Sequence, residues 1–203
     1  MDIPIVLRPV QAAAQALIDG LTTSLPHLEP LGTPTSVQTV YDTLQTFSEL
    51  YATGDIPPLN SRFDIDMFNT LRAAMFPARY PIALTAHTDD RGRLVETVRA
   101  HGGKGQTFVS TTKPGITRGE HFHLAKLERF AVLNGQARIS LRRLFTDEVI
   151  SFDVNCETPA IVDMPTLWVH NIINTDTPKL PTLSWTKRLF YQKHPDTTLT
   201  PRT

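Results

Sequence analysis

Two histidines one residue apart, His121 and His123, are followed by Glu128 in a stretch framed by Gly115 and Gly135. Residues i and i+2 of a β-strand point to the same face. Both imidazoles could therefore enter one cavity, and Glu128, on the same or the next strand, could add a carboxylate. Two ring nitrogens and a carboxylate oxygen suit Zn, Fe, Mn or Ni. A fourth candidate ligand, His170, sits on the apolar, strand-like run 165–174. Any one of these histidines alone reads most simply as a packed strand residue. The four together, at this spacing, point to a divalent metal ion.

Such ligands need a rigid frame, and the residues after about Tyr80 supply a strand-like texture. In the run 136–142, Ala137, Ile139 and Leu141 alternate with Arg138, Ser140 and Arg142, a period of two. Similar short runs occur at 82–86, 105–110, 129–133, 149–154, 168–174 and 183–190. Many short strands at close spacing predict a sandwich or barrel. The first eighty residues read as helical. Val10, Ala13, Leu17, Ile18 and Leu21 recur at helical spacing after Pro9. A second helix starts at Ser36, carries Val37, Val40, Tyr41, Leu44, Phe47 and Tyr51 on one stripe, and stops at Gly54. A third is predicted over about 64–76, closed by Pro77. These stripes are expected to pack on the barrel or on a second subunit. The boundary falls at a helical segment, 1–79, and a β-barrel domain, 80–203.

Composition excludes several classes. The 203 residues include 20 basic and 20 acidic side chains, so no net field favours nucleic acid or an anionic membrane. The single cysteine, Cys156, excludes an internal disulfide and fits a reducing, cytoplasmic setting. No signal-peptide pattern is present, and no apolar run reaches the roughly 18 residues of a membrane span. A dinucleotide phosphate needs a glycine-rich turn at a helix N-terminus. No G-x-G-x-x-G run and no Tyr-x-x-x-Lys pair occurs, so no NAD(P) is expected to bind here.

The first segment resembles the cupin motif G-x5-H-x-H-x4-E-x6-G, matched by Gly115, His121, His123, Glu128 and Gly135. The second cupin motif, G-x5-P-x-G-x2-H-x3-N, is matched at Pro165, His170 and Asn174, with Pro159 and Leu167 where it has glycines. The run from Asp90-Arg91-Gly92 to Glu96 looks like a segment of cupin-type nucleotide-sugar epimerases. Residues 105–119, Val162-Asp163, His170-Asn171-Ile172 and Pro195-Asp196-Thr197 are similar to the C-terminal cupin domain of CapF-type capsular-polysaccharide enzymes. The likeness spans roughly 37–198. It implies a mainly β cupin barrel (a double-stranded β-helix or jelly roll) behind an α-helical segment that is the remnant of a reductase tail.

In that family a Rossmann-type domain reduces a keto sugar and the cupin epimerises a UDP-4-keto-6-deoxy-hexosamine. The resemblance therefore implies a metal-dependent epimerase of a UDP-linked 4-keto-6-deoxy sugar in capsular or surface polysaccharide synthesis. It also implies a homodimer and a separate short-chain reductase as partner. The strand bearing His121 and His123 is expected to face the His170 strand across the barrel interior. His121, His123, Glu128 and His170 would hold the ion, with Zn the first expectation and Fe, Mn or Ni open. Lys126, Tyr191 and His194 are the proton-transfer candidates. Arg91, Lys113 and Arg118 would bind a diphosphate at the cavity rim. Asn174 is carried over as a motif position near substrate, and Trp185 or Phe122 would stack on sugar or uracil. The chain departs from the pattern at Glu120 (for Asn), Phe122 (for Tyr), Ile173 (for Glu) and Lys187-Arg188 (for Asn-Glu). These changes leave two other readings open: a non-catalytic sugar-nucleotide-binding or scaffold cupin, and a cupin oxygenase acting on a small organic substrate.

Overall fold

A computed structural model describes residues 2–21, 29–90, 92–102, 105–187 and 198–199. In chain order the elements are β1 (Pro4–Leu7), α1 (Val10–Gly20), β2 (Thr33–Ser36), α2 (Val37–Tyr51) and α3 (Arg62–Met75). Then come β3 (Ile82–Ala83), β4 (Ala86–Asp89), β5 (Gly92–Val95), β6 (Gln106–Thr112), β7 (Thr117–Phe122), β8 (Glu128–Val132) and β9 (Gln136–Arg143). The last are β10 (Val149–Asn155), β11 (Ala160–Asp163), β12 (Trp168–Asn174), β13 (Leu180–Thr186) and β14 (Thr198–Leu199).

Two five-stranded antiparallel sheets form the expected β-barrel, with orders β10-β9-β12-β7-β14 and β3-β11-β8-β13-β6. Alternation decides what each face meets. On β9, Ala137, Ile139 and Leu141 are buried, while Arg138 pairs with Asp153 on the solvated side. Ile172 of β12 lies opposite Ile139 and joins the same interior.

The helices form for local reasons and then become part of the barrel's core. Ser36 caps α2 by accepting from the Thr39 N–H. Ser61 and Asp64 form a reciprocal capping box on α3. Phe47 and Tyr51 of α2 meet Phe68 of α3 edge to face, with ring centroids 6.0 and 5.0 Å apart. These rings belong to one buried cluster with Ile82, Phe130, Ile161 and Met164. The second sheet is thus covered on its outer side by α2 and α3.

The reading of the first eighty residues as helical needs correction, because β1 and β2 pair as an antiparallel ribbon. Neither strand shows a two-residue apolar period, and each contains a proline, so no pattern announced them. The strand Ala160–Asp163 likewise carries no distinguishing sequence pattern. Its continuous Ala-Ile-Val run is too short to separate from a turn.

Candidate metal centre

His121 lies near the end of β7, and His123 follows one residue beyond that strand. Glu128 is the first residue of β8, and His170 lies in β12. The expectation that the two histidine strands face each other is corrected: β7 and β12 are hydrogen-bonded neighbours, with His170 directly opposite His121. Glu128 is the ligand that reaches across, from the other sheet. The loop joining them is pinned by backbone bonds from Leu167 to the His123 carbonyl, from Met164 to Glu128, and from Lys187 to Leu127.

One ligating atom from each of the four side chains falls within 4.8 Å of the others. The Glu128 Oε2 atom lies 2.8 Å from His123 Nε2, 3.2 Å from His170 Nε2 and 3.7 Å from His121 Nε2. Lys126 Nζ stands 3.5 Å from the other oxygen, Oε1. Burial acts to raise the Glu128 pKa. The three neighbouring imidazoles and the Lys126 charge outweigh it and hold the carboxyl well below the usual carboxylate range. For His170, burial is the leading cause of a pKa below its ordinary value, so the ring stays neutral, the form that binds metal.

Two observations say that this set fits a divalent ion. Three imidazoles and one carboxylate form the N and O donor set that Zn and its neighbours accept. Both ring nitrogens of His170 are buried without a hydrogen bond, which a finished structural core rarely tolerates. An ion at Nε2 would engage one of them.

The remaining predicted residues scatter. Lys126 is beside the cluster, with its side chain 12% exposed. Arg118 is exposed on β7 opposite Ile172, on the interior side of the sheet. Lys113 is exposed in the turn between β6 and β7. Asn174 is buried, and its amide is already engaged: Nδ2 donates to the Thr112 and Pro178 carbonyls at 3.0 and 2.8 Å, and Oδ1 accepts from the Asp176 N–H. Trp185 pairs with Arg129, while Thr186 pairs with Glu128. The indole is therefore on the outer face, away from the ligands, with Gly105 packed on it. Phe122 pairs with Thr198 of β14. Arg91, Tyr191 and His194 lie outside the described residues.

Two sequence departures gain a physical explanation. Leu167, at a motif glycine, adopts φ +67°, the left-handed conformation that glycine takes without strain. Its N–H and carbonyl are both used, toward His123 and Leu144. Lys187 sends Nζ 2.7 Å to the Leu59 carbonyl, tying the end of β13 to the segment before α3.

Sequence reasoning missed a second buried ionic group behind the site. Arg129 donates to Asp163 through Nε at 2.7 Å and Nη2 at 2.9 Å, and Tyr51 donates to Asp163 at 2.6 Å. Arg129 Nη1 also reaches the Gly54 and Thr97 carbonyls. The position of Arg129, next to Glu128 on a strand, places it on the opposite face, but nothing in the sequence names its partners.

Comparison with known proteins gives the family. Residues 87–198 match the model of the polysaccharide biosynthesis C-terminal domain. A UDP-2-acetamido-2,6-beta-L-arabino-hexul-4-ose reductase from Pseudomonas aeruginosa is 35% identical over 111 residues, 55% of this chain but 30% of the relative. The capsular polysaccharide assembling protein CapF of Staphylococcus aureus is 26% identical, covering 98% of this chain and 55% of its own, with a TM-score of 0.47. A dTDP sugar isomerase from Desulfovibrio desulfuricans is 13% identical over 58% of this chain and 80% of its own, with a TM-score of 0.52, a likeness of fold. The chain thus spans under a third of the curated relative and about half of the CapF chain. With more than half of its length matched by the family model, the chain belongs to the polysaccharide biosynthesis C-terminal domain family.

Proposed function

We propose that the barrel is a metal-dependent isomerase that epimerises a UDP-linked 4-keto-6-deoxy sugar for capsular or surface polysaccharide synthesis. The observation that carries this reading is the convergence of His121, His123, Glu128 and His170 on one point inside the barrel. The relative's name, which denotes a reductase of a UDP-linked hexul-4-ose, supports the substrate class.

Epimerisation beside a ketone needs a base, a proton donor and stabilisation of the charge that develops on the carbonyl oxygen. His121, His123, Glu128 and His170 would hold the ion, Zn being the first choice. Once bound, it would supply Lewis-acid polarisation of the keto oxygen. Lys126 is the proton-transfer group among the described residues, since its ammonium already lies against the Glu128 carboxylate. Tyr191 is the second candidate for that task. Arg118, on the interior face of β7, with Lys113 and Arg91, would orient the diphosphate. Trp185 and Asn174 support the frame, each through the contacts described above. The reading extends to a homodimer working in the cytoplasm with a separate short-chain reductase, and with no NAD(P), nucleic acid or membrane as partner.

The test is deuterium wash-in at C3 of UDP-2-acetamido-2,6-dideoxy-hexos-4-ulose, followed by NMR. Exchange that is lost on chelation and lost in Lys126→Met supports the isomerase. Binding of the nucleotide sugar without exchange would turn the reading to a non-catalytic binding subunit. Lys187, held at the Leu59 carbonyl, stands where the motif that this sequence resembles has an Asn, and that departure favours the alternative.

A further inference from the structure

We infer that Glu120 and Asn171 form a clamp that locks a β-bulge in β7 and thereby aims His121 and Arg118 into the same cavity. The inference rests on the proposed metal site for its consequence, but its structural basis is separate. Opposite β12, His121 pairs with His170, Gly119 with Asn171 and Arg118 with Ile172, so Glu120 is the residue inserted at the register shift. In a regular strand His121 and Arg118, three residues apart, would point to opposite faces. The extra residue reverses that. Ile172 and His170 both face the interior, and their partners Arg118 and His121 therefore share that face. One inserted residue puts a phosphate-type anion binder beside a metal ligand.

The backbone conformation that makes the bulge is unfavourable for most residues. Gly119 has φ +109°, and a Cβ there would come within 2.6 Å of the His170 carbonyl oxygen, so glycine is required. Glu120 has φ +65° without being glycine. Its carboxylate accepts a 2.6 Å hydrogen bond from Asn171 Nδ2, which projects from the adjacent strand beside His170. That bond ties the strained residue to its neighbour immediately between two metal ligands. Strain of this kind persists only where the surroundings hold it in place. Glu120 and Asn171 are positioning residues: they act through His121 and Arg118.

The test compares alanine with glycine at position 120 in the full chain. Glu120→Ala removes the clamp and leaves a Cβ in the left-handed region, whereas Glu120→Gly removes the clamp and the strain together. Three readouts are used: amide hydrogen exchange across residues 117–122, Co²⁺ affinity and visible spectrum in competition with a chelator, and UDP affinity by calorimetry. Glu120→Ala is expected to lose exchange protection in β7 and to weaken Co²⁺ binding about tenfold, with Glu120→Gly within about threefold of the unmodified protein. Asn171→Leu should resemble Glu120→Ala, and adding Glu120→Gly to it should restore the protection. UDP affinity should fall together with Co²⁺ affinity, because Arg118 turns with the strand. The inference is overturned if the Ala and Gly variants show the same exchange protection, or if Co²⁺ binding weakens while UDP binding holds. Failure of the unmodified protein to bind Co²⁺ would instead remove the metal reading, and the exchange comparison would still decide the clamp.

Discussion

Adjacent residues on β8 serve two buried ionic groups that differ in one respect. Glu128 faces inward and meets three imidazoles and a lysine. Arg129 faces outward and meets Asp163, with Tyr51 and two backbone carbonyls completing the shell. The outer group is closed: the guanidinium and carboxylate are 0% exposed and bonded to each other in a two-pronged contact. The inner group is open, since both nitrogens of His170 are buried without a hydrogen bond. A buried charge that is fully bonded fastens two parts of the fold together. A buried set of donors left incomplete is arranged for something that arrives later. The strand thus divides its labour by face: Arg129 fastens α2 and the segment after it to the sheet, and Glu128 serves the cavity.

This contrast is broken most severely by substitutions that touch one face only. His170→Ala or Glu128→Gln should reduce divalent-metal affinity by at least about a hundredfold, measured by chelator competition. In His170→Ala the thermal midpoint without metal should change little, because losing two unsatisfied buried nitrogens offsets the cavity left behind. Arg129→Met should do the reverse. It leaves Asp163 buried without its cation, at a cost of about 3–5 kcal/mol in denaturant unfolding. Metal affinity in the folded fraction should be retained. If Arg129→Met abolished metal binding as fully as Glu128→Gln, the division by face would be wrong.

The outer group also predicts a pH signature. For Asp163, burial pushes the carboxyl up, but the Arg129 guanidinium and the hydrogen bonds more than reverse this and hold it below the usual range. Its stabilising contribution is present above the unfolded carboxyl's pKa of about 3.9 and is lost as pH falls through the lower, folded value. Tyr80 is pushed up to about 12, chiefly by burial and then by Asp163. Its contribution is complete below the unfolded phenol value of about 10 and disappears as pH rises toward the folded one. Unfolding free energy should therefore show a plateau with losses at both ends. Tyr51→Phe should lower the plateau by roughly 1.5–3 kcal/mol, because it removes a hydrogen bond to a charge.

How much of this was legible follows from range along the chain. The metal ligands lie within eight residues apart from His170, and fixed spacing on strands announces them without knowledge of the fold. Helix α2 was legible because Ser36 and its apolar stripe act locally, whereas α3, expected from about residue 64, begins at Arg62 behind a cap, Ser61, that the reading did not use. Trp185 was misplaced because its face depends on whether β13 pairs Thr186 or Trp185 with Glu128, a choice made by register alone. The Arg129–Asp163 contact spans 34 residues, and the Tyr51–Asp163 contact spans 112. Contacts at that range leave no local pattern. The β7 bulge was hidden for another reason: Glu120 is not a residue that advertises positive φ.

The smallest expected effect is at Leu167. Leu167→Gly should relieve the left-handed conformation while adding chain entropy to the unfolded state, so the two changes nearly offset, and stability should move by no more than about 1 kcal/mol. Leu167→Val, which cannot easily adopt positive φ, should be clearly worse than glycine, and should weaken metal binding through the His123 carbonyl that Leu167 holds.

The most direct measurement is metal content of the purified chain after saturation with Zn²⁺ and removal of excess, by elemental analysis. Convergence of His121, His123, Glu128 and His170 predicts about one equivalent per chain, falling to background in Glu128→Gln and His170→Ala but not in Arg129→Met. A folded protein that retains no ion after exposure to Zn²⁺, Fe²⁺, Mn²⁺ or Ni²⁺, or retains it equally in all three variants, would contradict it.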